Sequence, residues 1–132
     1  MMMRYARALF VGALLALACS PVVAQEDDDG PLTASWVVTE LNGKPVDGLT
    51  LEYTTDRVSG TGGCNRFKGP ISIEDDAIQI GPLASTKMMC EGKSDLEAQY
   101  FAALEAARSF VVQGNTLTLK GDDGHDLVKF KK

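Results

Sequence analysis

The chain has 132 residues, with 13 Lys+Arg against 18 Asp+Glu and a net charge of −5 at pH 7. That length allows one domain and little more. The acidic balance argues against nucleic-acid binding, which needs clustered cations to neutralise phosphate, and a hydrophobic content of 45% argues against a disordered chain.

Residues 1–24 read as an export signal. Arg4 and Arg7 give a positive start, and Ala8 to Ala18 is an apolar run too short to span a bilayer. Two exits follow. Val22-Val23-Ala24 suits cleavage before Gln25, the preferred expectation. Alternatively, Ala16-Leu17-Ala18-Cys19 forms a lipobox in which Cys19 would be lipidated and kept as the first residue, although Leu is preferred where Ala16 stands. Cleavage before Gln25 removes 24 of the 132 residues and leaves 108; two cations and no acid depart, so −5 becomes −7. The mature chain is expected in the periplasm or cell envelope, with no transmembrane span. Residues 25–34 hold Glu26, Asp27, Asp28 and Asp29 beside Gly30 and Pro31. They read as a solvated acidic linker rather than a calcium site, since nothing holds the acids in a coordinating geometry.

The folded part begins with Trp36 to Leu41, a β-rich run ending at the turn pair Asn42-Gly43. Trp36 starts a strand among apolar neighbours and reads as a core anchor. Leu49, Leu51 and Tyr53 alternate with polar residues, as in a half-buried strand. Thr55-Asp56 turns into Arg57-Val58-Ser59. The glycines of Gly60-Thr61-Gly62-Gly63-Cys64-Asn65 suggest a bulge or a backbone packed closely on its neighbour. Ile71 and Ile73, then Ile78 and Ile80, form a hairpin around Asp75-Asp76. In the stretch from Gly81 to Cys90, Met88-Met89 suggests a buried segment. One helix follows: Ser94 and Glu97 make a capping-box pair, and Leu96, Tyr100, Leu104 and Ala107 fall on one apolar face. Phe110-Val111-Val112, the turn Gly114-Asn115, Thr116 to Leu119, the turn Gly121 to Gly124, and Val128 to Phe130 complete the chain. The expected class is α+β: a curved, mainly antiparallel sheet of about seven or eight short strands with one helix packed on it.

With Cys19 set aside, Cys64 and Cys90 remain. An even count in an exported chain favours one structural disulfide over free buried thiols. Two cysteines and a distant histidine are too few for a metal site, and no Cys-x-x-Cys redox motif is present.

Several blocks in this order carry a family resemblance. They are Trp36 to Val46; Val58-Ser59-Gly60-Thr61-Gly62-Gly63-Cys64-Asn65-Arg66-Phe67-Lys68-Gly69; Gly81-Pro82-Leu83-Ala84-Ser85-Thr86-Lys87-Met88-Met89-Cys90; the helix with Glu97, Phe101 and Leu104; and Leu117-Thr118-Leu119. Together they resemble the META domain, the HslJ-like family of exported bacterial proteins, over residues 35–132. Pro70 departs from the family pattern, and because it denies a ladder one N–H it is expected at a sheet edge or a strand start. The resemblance implies a small non-enzymatic domain, often periplasmic or lipid-anchored, whose relatives are linked to heat induction, antibiotic tolerance and virulence. It also occurs beside lysozyme-inhibitor-like domains.

The residues themselves offer little chemistry. His125 sits in a turn with Asp122, Asp123 and Asp126, without the spacing of a calcium loop. Ser59, Ser85 and Thr86 lack a nucleophile elbow. Asn65 and Arg66, beside Cys64, and Lys87 are the candidate recognition residues, each weighed against a purely structural role. No catalytic set, metal or cofactor is expected. The leading expectation is a non-catalytic envelope domain, acting in stress or antibiotic tolerance by binding a protein or envelope component. The alternatives are an inhibitor of a basic hydrolase such as lysozyme, toward which the charge would steer it, and a small-molecule binder using the interior of the sheet.

Overall fold

The structure, a computed structural model, describes Leu32 and residues 34–132. The expected signal, the Gln25 cleavage point, Cys19 and most of the linker lie outside the described residues. Among the described residues no helix is long and apolar enough to cross a membrane.

The chain runs β1 (Ser35–Leu41), β2 (Lys44–Pro45), β3 (Thr50–Thr54), β4 (Arg57–Thr61), β5 (Arg66–Glu74), β6 (Ala77–Ile80), β7 (Ala84–Ser85), α1 (Ser94–Ala106), β8 (Ser109–Gln113), β9 (Thr116–Lys120) and β10 (Asp126–Lys131). All pairings are antiparallel. The order β10-β9-β8-β6-β5-β4-β3-β1 returns on itself through a β10–β1 pairing, so eight strands close into a barrel-like sheet. The short β2 and β7 hang on β1 and β5. Closure removes most exposed strand edges. The thinnest join is β6–β8, with one bridge, Ala77 to Ser109, flanked by Ile78 N donating to Arg108 O and Phe110 N to Asp76 O.

The expected turns are present. Asn42 and Gly43 both take positive φ, 52° and 83°, as a two-residue hairpin turn requires. Thr55, Asp75 and Gly114, also at positive φ, turn the β3–β4, β5–β6 and β8–β9 hairpins. Two register shifts break the alternation of inward residues. In β1 the inward residues are Trp36, Val38 and then Leu41, because a bulge between Val38 and Glu40 adds one residue against β10. In β10 a shift between Asp126 and Val128 buries Leu127 and Val128 together.

The core is filled. Trp36, Tyr100, Phe130, Leu49, Leu51, Leu104, Leu117 and Leu119 are each at most 1% exposed. Trp36 is the expected anchor, and its Nε1 donates to Leu32 O at 3.1 Å. Leu32 falls within the expected linker yet is wholly buried.

The helix differs from its sequence reading at its start. Lys93 is the N-cap and no side chain caps the first turn, so Ser94 and Glu97 do not form a capping box. Glu97 points into the protein instead, and the buried face is Glu97, Tyr100, Ala103 and Leu104. Leu96 is half-buried beside the core. Tyr100 donates to Thr50 O at 2.7 Å, and burial pushes its phenol well above the ordinary value. Phe67 packs edge-on against both Tyr100 and Phe101.

Two local expectations are corrected. Met88 and Met89 are exposed, at 60% and 89%. The strand β7 pairs through Ser85 and Ala84, and the segment after it is held by its backbone and a disulfide rather than by burying those side chains. Pro70 lies inside the nine-residue β5, not at its start. It costs no ladder bond there. Its outer neighbour changes at this point from β7, paired at Phe67 and Lys68, to β6, paired from Ile71 onward. Pro70 only accepts, taking Gly81 N at 2.9 Å.

Candidate functional site

The loop from β4 to β5 carries Gly62-Gly63-Cys64-Asn65, and glycine is dictated there by contact. A Cβ on Gly62 would lie 2.6 Å from Glu97 Cγ and 2.8 Å from the Phe101 ring, and Gly63 has φ +104°. The loop backbone therefore lies directly on α1, as the glycine run suggested.

Asn65 and Glu97 are the buried polar side chains, at 5% and 7% exposure. Glu97 Oε2 accepts from Cys64 N at 3.3 Å and Asn65 N at 2.5 Å, while Oε1 accepts from Asn65 Nδ2 at 2.7 Å. Asn65 Nδ2 also donates to Met88 O at 3.1 Å. Its Oδ1 accepts from Thr86 Oγ1 at 2.8 Å and Met88 N at 2.7 Å. An amide offers two donor hydrogens and two acceptor lone pairs, and here all are used. Asn65 thus ties three separate segments: its own loop, the helix and the strand-like run after β7. The Cys64–Cys90 disulfide, with Cα atoms 5.8 Å apart, locks the same junction.

Beside this junction a groove of about 630 Å³ opens on the outward side of β3, β4, β5 and β7. Register builds it in two rows. Glu52 pairs with Ser59, Ser59 with Lys68 and Lys68 with Ala84. In the next row, Thr61 N donates to Thr50 Oγ1 at 3.1 Å, Thr61 pairs with Arg66, and Thr86 N donates to Arg66 O. Leu51, Val58 and Phe67 alternate with these residues and point inward. Ser85 completes the lining. Arg66 and Lys68 are exposed and form no ion pair among the described residues.

The structure therefore separates the candidate recognition residues. Arg66 lines the groove, Lys87 is exposed just beyond it, and Asn65 lies beneath, turned inward. Ser59, Ser85 and Thr86 line the groove, but His125 does not. His125 occupies the β9–β10 turn, exposed, with Nδ1 2.5 Å from Asp123 Oδ1. Hydrogen bonds from the His125 backbone and ring hold the Asp123 carboxyl below its usual range. Asp126 is also lowered, chiefly by its hydrogen bond from Lys120 at 2.7 Å. Among the described residues no group of three or more His, Cys, Asp and Glu is placed to hold a metal ion.

The META domain family matches residues 30–132, from just before Leu32 through the last strand. The chain belongs to the META domain family. The family is not known as catalytic. No curated protein sequence matches the chain. Among solved structures, an NMR structure of a protein from Burkholderia xenovorans is 24% identical, with a TM-score of 0.62 over 89% of this chain and 97% of that one. A crystal structure of a DUF4847 family protein from Bacteroides vulgatus is 14% identical, with a TM-score of 0.62 over 76% of this chain and 92% of that one. At such identities the likeness is one of fold.

In this META domain, sequence reasoning missed Glu97 as the acceptor of the Cys64–Asn65 loop. Its signal was there: Glu97 stands three before Tyr100 and seven before Leu104, on the apolar face. It missed Lys68 and Glu52 as well, because the groove joins strands distant in sequence.

Proposed function

We propose that this META domain is a non-catalytic binding domain of the cell envelope, exported by the N-terminal signal and serving stress or antibiotic tolerance through contact with a protein or envelope component. One observation carries the reading. The polar groups that are buried and fixed, Asn65 and Glu97, spend their hydrogen bonds on each other and on the loops around them. The hydroxyl residues Thr50, Ser59, Thr61, Ser85 and Thr86 line a groove whose lining includes no histidine to serve as a base. Such a construction holds a shape and presents a surface, and it lacks the serine–histidine pairing of the common hydrolases. The barrel interior is filled by Trp36, Tyr100, Phe130 and the leucines, which favours recognition on the outside.

Deletion of the gene, followed by growth under heat and under envelope-active antibiotics, tests the proposal. Increased sensitivity, restored by the wild-type copy, is expected. Growth equal to the parent under both stresses would remove the stress role.

A further inference from the structure

The groove beside the Asn65–Glu97 junction has a specific chemistry. Arg66 and Lys68 are two residues apart on β5 and project from the same face, about 7 Å apart at the usual strand rise. Both are exposed cations without an ion-pair partner among the described residues, in a chain of net charge −5. An anionic group placed between them meets the guanidinium fork on one side and an ammonium on the other.

Hydroxyls surround that position. Thr61 Oγ1 accepts from Gly63 N at 3.2 Å and Thr50 Oγ1 accepts from Thr61 N at 3.1 Å, so both keep an O–H to donate. The side chain of Ser59, between Glu52 and Lys68, forms no hydrogen bond among the described residues. Glu52, at the far end of the Lys68 row, supplies acceptors and repels a second anion. The space of about 630 Å³ is far more than one phosphate needs and lies within the usual range for small-molecule sites. Phe67, the aromatic residue in the lining, is 3% exposed with its ring against Tyr100 and Phe101, so no stacking platform for nucleobases is offered.

We propose that this groove binds a carbohydrate with one anionic group, a sugar of one or two rings bearing a carboxylate or a phosphate. The charged group sits between Arg66 and Lys68, and the ring hydroxyls meet Thr50, Ser59 and Thr61. The inference rests on the binding reading above and gives it a ligand class.

The test is a titration of the disulfide-bonded exported protein followed by amide NMR. The probes are a uronic-acid disaccharide, its methyl ester, glucose 6-phosphate and inorganic phosphate. Saturable shifts in β3, β4, β5 and β7 are expected with one or both acidic sugars; which one binds tells carboxylate from phosphate. The ester and inorganic phosphate should each bind at least about tenfold more weakly. The double variant Arg66→Gln/Lys68→Gln should weaken acidic-sugar binding by at least about tenfold while leaving the thermal midpoint and the Asn65 amide signals in place. Lys131→Gln, on β10, should change nothing. The inference is overturned if neither acidic sugar gives saturable shifts at millimolar concentration, if the ester binds equally, or if inorganic phosphate binds as tightly. Complementation separates this from the broader proposal. Full rescue of a stress-sensitive deletion by the double variant would refute the groove and leave the envelope role standing. Sugar binding without any deletion phenotype would do the reverse.

Discussion

Replacing Asn65 by Ala removes four hydrogen bonds at once: to Glu97 Oε1, Met88 O, Thr86 Oγ1 and Met88 N. The bond to the buried carboxylate is charge-assisted and worth about 1.5–3 kcal/mol, and each neutral bond about 1 kcal/mol. Thr86 and Met88 are exposed residues, so water recovers part of what their backbone and hydroxyl groups lose. A net loss of about 2–4 kcal/mol follows, a large share of the total stability of a domain this size. Urea unfolding with the disulfide intact measures it, as a lower midpoint at unchanged slope. A loss under about 1 kcal/mol would refute the idea that Asn65 holds the junction. Asn65→Asp separates bonding from packing. It is nearly isosteric, but it exchanges a donor to Glu97 for a second carboxylate at the same distance. Like charges so close raise the folded pKa of the pair above that of a free carboxyl. The penalty is therefore full at neutral pH and shrinks as the pH falls through that raised value, when one carboxyl takes a proton and donates it. Asn65→Ala should show no such recovery.

Reducing Cys64–Cys90, which closes a loop with a sequence separation of 26, should lower the thermal midpoint by an amount matching about 3–4 kcal/mol in the chain-entropy account; an unchanged midpoint in dithiothreitol would show the bond to be idle. Leu104→Ala, at a site with no exposure, should cost about 2–5 kcal/mol in urea unfolding, and a value near zero would mean the helix face is wrongly phased. The Asp126 carboxyl is held low chiefly by Lys120, so this half-exposed pair contributes stability above the ordinary carboxylate pKa and loses it as the pH falls through the lowered value. Lys120→Met should raise the Asp126 titration midpoint seen by NMR; no movement would deny the pairing.

What the sequence disclosed and what it hid follow from the range of the forces involved. Turns such as Asn42-Gly43 and Gly114-Asn115 are decided by a residue's own φ preference, so a short window reveals them. The alternation of Leu49 and Leu51, or Ile78 and Ile80, reports burial on one sheet face and was equally legible. Glu97 was read as a helix cap because capping is the local use of a carboxylate near an N-terminus. Its actual partners, Cys64 and Asn65, lie more than thirty residues earlier. Met88-Met89 misled for a related reason: apolar side chains usually mark burial, but here backbone bonds to Asn65 fix the segment. Pro70 was placed by a rule about ladders that holds only where a neighbour strand is continuous, and its neighbour is not. The groove was the least visible feature. Glu52, Ser59, Lys68 and Ala84 come together only through the registers of four strands.

The pairing of β1 with β10 has a consequence in time as well as in space. Val37 faces Lys131, and Thr39 donates to Lys129 O, 90 residues further on. The ring cannot close until β10, the last strand of the chain, is available to β1. Closing the ring joins segments about 90 residues apart, a contact that carries a large loop-closure entropy. Loss of the final few residues would strip β1 of β10 and leave it β2 and β3, turning a closed ring back into a sheet with two free edges.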